Sequence, residues 1–289
     1  MRKLVLVSVV VLGVSILGCG RPQTTNPSSQ TSKNAVAVKG SDTMVHLVAA
    51  WAESYMKAQP GTEVSVTGGG SGVGIAALIN KSTDICAASR EMSTTEKEQA
   101  KQKGVVAKET VVARDGIAVI AHPSNPVNEL TLEQLRKIFT GAWTDWQQVG
   151  GSPGGFIVLS RESSSGTYVF FQEHVLNKED YTSKARLMPA TSSIIQSVGE
   201  DKLAIGYVGL GYASEARGKV KILKIKANDT APSVEPTEET VRSGAYSISR
   251  PLYFYTGENA SDPVGQFIQF CLGEAGQKIV RDTGYVSVK

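Results

Sequence analysis

The chain carries little with which to run a reaction. Its 289 residues include only three histidines, three cysteines and three tryptophans. His46, His122 and His174 are too scattered for metal-ligand spacing, and His46 and His174 fall within helical patterns, so packing or surface roles suit them better than base or ligand roles. No Gly-Lys-Ser or Gly-Lys-Thr occurs, which excludes a phosphate-cradling NTPase loop. Ser71 lacks the context of a nucleophile elbow, because Val73 stands where that motif has glycine. Gly72-Val73-Gly74-Ile75-Ala76-Ala77 matches a variant dinucleotide-binding turn, but its ribose-binding acid could only be Glu91, and the same glycines serve an anion site at a helix terminus equally well. No enzyme chemistry and no cofactor follow from these residues. A secreted serine hydrolase using Ser71 or Ser165 is the distant alternative.

Excess charge is also missing. Thirty basic residues against 27 acidic ones give a net charge of +3, and Arg2 and Lys3 sit in a leader, so the remainder is nearly neutral and shows no nucleic-acid footprint. The longest apolar run, Leu4 to Leu17, is too short to span a bilayer and has the layout of a secretory signal peptide. It ends Ile16-Leu17-Gly18-Cys19, which resembles the lipobox of bacterial lipoproteins and implies lipidation of Cys19, with residues 1–19 as the signal. Residues 20–34, rich in Ser, Thr, Gln and Pro, read as a flexible tether from the membrane. An exported, membrane-anchored, extracytoplasmic protein is expected. Cys86 and Cys271 remain, in strand-like and helical apolar surroundings; core thiols and an exported disulfide both stay open.

What is present is an alternation of strand-like runs with helical patterns, which predicts an α/β fold with largely parallel sheets. The strand-like runs are residues 35–39, 63–67, 84–88, 116–121, 156–160, 204–208, 220–225 and 251–256. Asp115-Gly116 and the segment from Gly244 to Pro251 look like two crossings between lobes, one lobe holding 35–116 plus 247–289 and the other 117–246. A ligand then belongs in the cleft between them.

Three polar clusters each follow a strand and precede a helix: Lys39-Gly40-Ser41-Asp42-Thr43-Met44, Gly68-Gly69-Gly70-Ser71-Gly72, and Arg161-Glu162-Ser163-Ser164-Ser165-Gly166-Thr167. The first N–H groups of a helix lack partners inside it and carry a partial positive charge, so such places suit an anion. Ser41, Ser71 and Ser165 could instead be N-caps and nothing more. Arg161 and Arg90 near two of the clusters favour a charged ligand.

In this order the segments resemble the phosphate-binding proteins of bacterial ATP-binding-cassette phosphate importers. Ala88-Ser89-Arg90, Asp115 to Val119, Ile138 to Gly141, Ala204 to Tyr207 and Ser249-Arg250-Pro251-Leu252-Tyr253 carry the likeness with the three clusters. The resemblance implies a two-lobed periplasmic-binding-protein fold of type II, acting as a monomer, with inorganic phosphate and the importer's permease subunits as partners. It also implies that phosphate is held by Thr43 and the backbone of Met44, by Ser71, by Arg161, and by Ser165, Gly166 and Thr167. Arg90 stands where the best-known members keep an aspartate that accepts the proton of hydrogen phosphate. The expectation is therefore that Asp42, beside Ser41, accepts that proton while Arg90 donates to phosphate oxygens; the rival is that Asp42 caps its helix and neutralises Arg90. Another tetrahedral oxyanion, such as sulfate, molybdate or tungstate, is the alternative ligand.

Overall fold

The computed structural model describes residues 34–289; the leader, Cys19 and nearly all of the tether lie outside the described residues. The chain begins with β1 (Ala35–Gly40), a 3-10 turn at Asp42–Met44, α1 (Val45–Ala58), β2 (Glu63–Thr67), α2 (Ser71–Ile79), β3 (Ile85–Ala88) and α3 (Thr94–Gln102). β2 and β3 flank β1 in parallel, so the segments leaving all three strands emerge at one edge of the sheet. This is where open α/β sheets hold ligands.

The 15-residue strand β4 (Ala107–Ala121) then runs through both halves of the sheet. It is followed by β5 (Glu129–Thr131), α4 (Leu132–Thr140), β6 (Ile157–Arg161), α5 (Gly166–His174), β7 (Arg186–Met188), α6 (Thr191–Glu200), β8 (Ala204–Gly209) and α7 (Leu210–Glu215). The chain closes with β9 (Lys221–Lys226), β10 (Ser233–Val234), α8 (Glu238–Arg242), β11 (Ser249–Gly257), α9 (Asp262–Leu272) and α10 (Glu274–Asp282). The strand order is β2-β1-β3-β11-β4-β8-β6-β7, with β9 also on β4, and β5 and β10 on β9.

β4 changes partner at one peptide. Ala107 to Gly116 pair with β11, whereas Ile117 to Ala121 pair with β8 and, in part, with β9. Parallel pairing is confined to the flanks, and both central strands, β11 and β4, run antiparallel to their neighbours. The largely parallel sheet expected from strand–helix alternation is thus an evenly mixed one. Neither β4 nor β11 is joined to a partner by a single strand–helix–strand crossover, so nothing forces them parallel.

Alternating side chains on the central strands fill separate cores on opposite faces. On β11, Leu252 and Phe254 join Trp51, Phe267 and Cys271, while Tyr253 and Tyr255 join Ile75, Cys86 and Met92. On β4, Ile117 and Val119 pack with Phe139, Phe171 and Trp146, and Ala118 and Ile120 pack with Ile194 and Val198. Period-2 alternation with apolar residues on both faces is what a sheet covered by helices on both sides requires. Cys86 and Cys271 are free thiols in different cores, and burial raises both, Cys86 to about 12. Among the described residues no helix is long and apolar enough to cross a membrane.

Candidate functional site

The three polar clusters meet. Thr43 Oγ1 lies 2.7 Å from Thr167 Oγ1 although 124 residues separate them. The loop after β2 touches the loop after β6: Gly72 N–H donates to the Ser164 carbonyl at 2.9 Å, and Ser164 Oγ donates to the Gly69 carbonyl at 3.3 Å. Two glycines make this approach possible. Gly70, at φ +103°, would put a Cβ 2.6 Å from the Ser164 carbonyl oxygen, and a Cβ on Gly166 would stand 2.3 Å from Ser71 Oγ.

Ser41, Thr43, Ser71, Ser89, Arg161, Ser165, Thr167 and Arg250 are all at most 3% exposed. Of the three serines that could have been mere caps, only Ser165 caps with its side chain, its Oγ accepting from Thr167 N–H at 3.2 Å. The hydroxyls of Ser41 and Ser71 turn instead to Ser89. Ser41 Oγ donates to Ser89 Oγ at 2.9 Å, and Ser89 N–H donates to Ser71 Oγ at 3.0 Å, with the two hydroxyls of Ser71 and Ser89 3.2 Å apart. Because Ser89 Oγ already accepts from Ser41, its own hydrogen can pass to Ser71. In that arrangement both Ser71 lone pairs are filled and the Ser71 hydrogen is free to donate outward. Met44 N–H closes the 3-10 turn on the Ser41 carbonyl at 3.0 Å, so its backbone is engaged within the turn.

Arg161, at the end of β6, donates Nε to the Met188 carbonyl, Nη2 to the Pro189 carbonyl and Nη1 to Thr191 Oγ1, at 3.2, 2.8 and 2.8 Å. Its Nη1 also lies 3.2 Å from Asp42 Oδ2, which accepts from Thr191 N–H at 2.8 Å. A guanidinium has five N–H donors, so these three hydrogen bonds leave it further donors. Asp42 therefore neutralises Arg161 and not Arg90, the partner of the rival reading. Arg90 itself departs from its expected place. Both its Nη groups bond Glu96 at 2.7 Å, and Nη1 donates to the Glu91 carbonyl, so its fork is held by the start of α3 and the turn before it. The reason is local: Glu96 closes a capping box with Ser93 at the start of α3, which fixes a carboxylate six residues from the arginine. Burial works to raise Glu96, but the Arg90 and Ser93 contacts prevail and hold it below its ordinary value.

Arg250 is the residue sequence reasoning left out of the site. Its cross-strand partner on β4 is Asp115. Nη2 donates to Asp115 Oδ2 and to Thr167 Oγ1, both at 2.9 Å, and Nη1 donates to the Ser89 carbonyl at 2.9 Å. Asp115 also accepts from Leu210 N–H at 2.9 Å. Burial pushes the Asp115 carboxyl up and the Arg250 guanidinium down, each opposed by the other's charge. The available signal was two opposite charges, each inside an apolar strand at a crossing; an unpaired buried charge is too costly to survive there.

The histidines bond elsewhere, His46 to Glu215, His122 to Ser124 and His174 to the Phe170 carbonyl, so no imidazole partners Ser71 or Ser165. Among the described residues no group of His, Cys, Asp and Glu could hold a metal ion. Gly74, read as part of a possible dinucleotide turn, packs α2 against β1, where a Cβ would stand 2.5 Å from the Lys39 carbonyl. What the arrangement does offer is a dry cluster of hydroxyl and guanidinium donors drawn from five separate chain segments.

Residues 25–275 match the family model of the PBP superfamily domain. The phosphate-binding protein PstS of Staphylococcus haemolyticus is 36% identical over 298 residues, covering 99% of this chain and 93% of that protein. The chain belongs to the phosphate-binding protein family. A second relative, the phosphate-binding protein PstS of Staphylococcus epidermidis, is 34% identical over 99% of this chain and 90% of its own length. Among solved structures, a putative phosphate ABC transporter substrate-binding protein from Clostridium perfringens, with bound phosphate, superposes with a TM-score of 0.80 at 33% identity, covering 89% of this chain and all of that one. An ABC-type phosphate transport receptor from Vibrio cholerae gives a TM-score of 0.70 at 28% identity over 87% of this chain and 99% of that one. The family's fold, a mixed sheet flanked by helices, is the one described above.

Proposed function

We propose that the chain captures inorganic phosphate outside the membrane and delivers it to the permease of an ABC importer. The observation that carries this reading is the meeting of Thr43 and Thr167 at 2.7 Å, in a buried cluster that includes Ser71 and Arg161. Such a place rewards a small acceptor-rich anion and little else: hydrogen bonds to charged groups are the stronger ones, and the low local dielectric strengthens them further. Thr43, Ser71, Arg161, Ser165, Gly166 and Thr167 are the proposed ligand-binding residues.

Discrimination falls to Asp42. Its Oδ2 is engaged by Thr191 and Arg161, and Oδ1 is the oxygen assigned to accept the proton of hydrogen phosphate. Sulfate at neutral pH has no such proton and would be repelled by the same carboxylate. The partner switch of β4 at Gly116 supports a hinge there, with 35–116 plus 247–289 as one lobe and 117–246 as the other. The chain is further proposed to be a monomeric lipoprotein anchored through Cys19; a Cys19→Ala variant should then leave the membrane fraction. Isothermal titration with inorganic phosphate and with sulfate tests the function. Saturable one-to-one binding of phosphate, with sulfate much weaker, is expected, and no phosphate binding would overturn it.

A further inference from the structure

The peptide that follows Ser71 and the peptide that precedes Ser165 are joined directly. Gly72 N–H belongs to the first and the Ser164 carbonyl to the second, and they bond at 2.9 Å. Ser71 and Ser165 are ligand-binding residues of the phosphate reading and lie on either side of the proposed hinge at Gly116. Under that reading the bond crosses the cleft one peptide away from the hydroxyls that meet the anion. There is no slack around it. A Cβ would stand 3.3 Å from the Ser164 carbonyl oxygen on Gly72 and 2.6 Å from it on Gly70, and one on Gly166 would stand 2.3 Å from Ser71 Oγ.

Gly72 is the second residue of α2, so its N–H is one of the donors a helix leaves unpaired at its start. An anion held at that helix end would ordinarily take such a donor. Here a carbonyl 92 residues further along the chain takes it, and α2 is left to meet a ligand through the Ser71 hydroxyl. With the lobes apart, water replaces both partners, so the bond alone contributes little. Its effect is geometric: it fixes the Ser71 and Ser165 hydroxyls relative to each other, and donors already in place lose less freedom when they bind.

We propose that Gly70, Gly72 and Ser164 form a seam that positions Ser71 and Ser165 for anion capture and sets how long the anion stays. The proposal rests on the phosphate reading and on the hinge at Gly116. The anion enters while the lobes are apart, so the seam governs release and not entry.

Rapid-filtration release of radiolabelled phosphate gives koff, and calorimetry gives Kd and hence kon. The parent is compared with Gly70→Ala, whose methyl group wedges the seam. Alanine at φ +103° is also strained, and Gly69→Ala is the matched comparison: φ there is +117°, but its Cβ would meet only the Val73 side chain, at 3.6 Å. Backbone strain is present with the lobes open or closed and lowers the melting temperature of both variants. The wedge acts on the closed form alone. Gly70→Ala should raise koff about 10- to 100-fold with kon within about threefold of the parent, and its rise should exceed that of Gly69→Ala at least about fivefold. In the parent, residue-resolved amide exchange should show Gly72 N–H at least about tenfold slower with saturating phosphate than without it. A folded Gly70→Ala with the parent's koff, or equal rises in the two variants, would overturn the proposal. So would Gly72 exchange that phosphate leaves unchanged, a result that decides the matter even if Gly70→Ala does not fold. A parent that binds no phosphate would instead overturn the phosphate reading itself.

Discussion

Arg161 and Arg90 stand beside the same hydroxyl cluster, each with a carboxylate partner, yet their surroundings differ in kind. Arg161 is held mainly by neutral carbonyls and a hydroxyl, and its one carboxylate, Asp42, is itself shared with Thr191 and one-fifth exposed. Arg90 has both ends of its fork matched by the two oxygens of Glu96, a bidentate pair that uses its charge locally. The lesson is that an arginine near an anion site contributes to it only when its charge is incompletely matched by the protein. Carbonyl partners orient a guanidinium without cancelling it. A bidentate carboxylate does both.

The sharpest way to break this comparison is to remove Arg161. Arg161→Ala should weaken phosphate binding by about 2 to 5 kcal/mol, one to several decades in Kd, because the loss leaves a buried anion short of its charge partner. Titration calorimetry reads it directly; an affinity within about twofold of the parent would place Arg161 with Arg90. Next comes the hydroxyl cluster. Ser71→Ala removes a hydroxyl able to donate to the ligand together with the acceptor of Ser89 N–H. The expected loss is about 1.5 to 3 kcal/mol, roughly 10- to 100-fold in phosphate affinity by the same measurement.

Asp42→Asn sharpens the Arg161 side. The amide keeps the shape but carries no charge, so the phosphate-over-sulfate preference should fall by about tenfold or more while sulfate binding improves. Unchanged discrimination in paired titrations would remove Asp42 from that role. The smallest effect on binding belongs to Glu96→Gln, which should leave phosphate affinity within about twofold. Its signature is instead in stability. Glu96 is held below its ordinary value of 4.5 in the folded chain, so the stabilisation it contributes is present above that pH and is lost as pH falls through the lowered value. Melting curves should show the variant less stable than the parent near neutrality, with the gap closing in acid.

Why some of this was legible in the sequence follows from the range of the forces involved. The strands at 63–67 and 204–208, the helix openings after Ser41, Ser71 and Ser165, and the glycine-rich approach of loop to loop are set by local periodicity and by backbone freedom, which a short window contains. The first half of β4, Ala107 to Asp115, escaped because its charged, exposed residues mask a strand whose reason for existing is β11, more than a hundred residues away. Arg90 differs for the complementary reason: nearness to a motif is visible in sequence, but the capture of its fork by Glu96 is a side-chain contact that sequence does not show. Arg250 and Asp115 meet through strand register alone, and register between distant strands is a tertiary fact. Ser89 lies in the Ala88-Ser89-Arg90 segment, yet its role as the hub between Ser41 and Ser71 depends on three loops converging.

A crystal structure of the chain grown with inorganic phosphate tests the central claim most directly. The account predicts one phosphate with its oxygens within hydrogen-bond distance of Thr43, Ser71, Arg161 and Thr167, with Arg90 still on Glu96. A phosphate bound elsewhere, or one reached by Arg90 while Arg161 stays apart from it, would contradict the account.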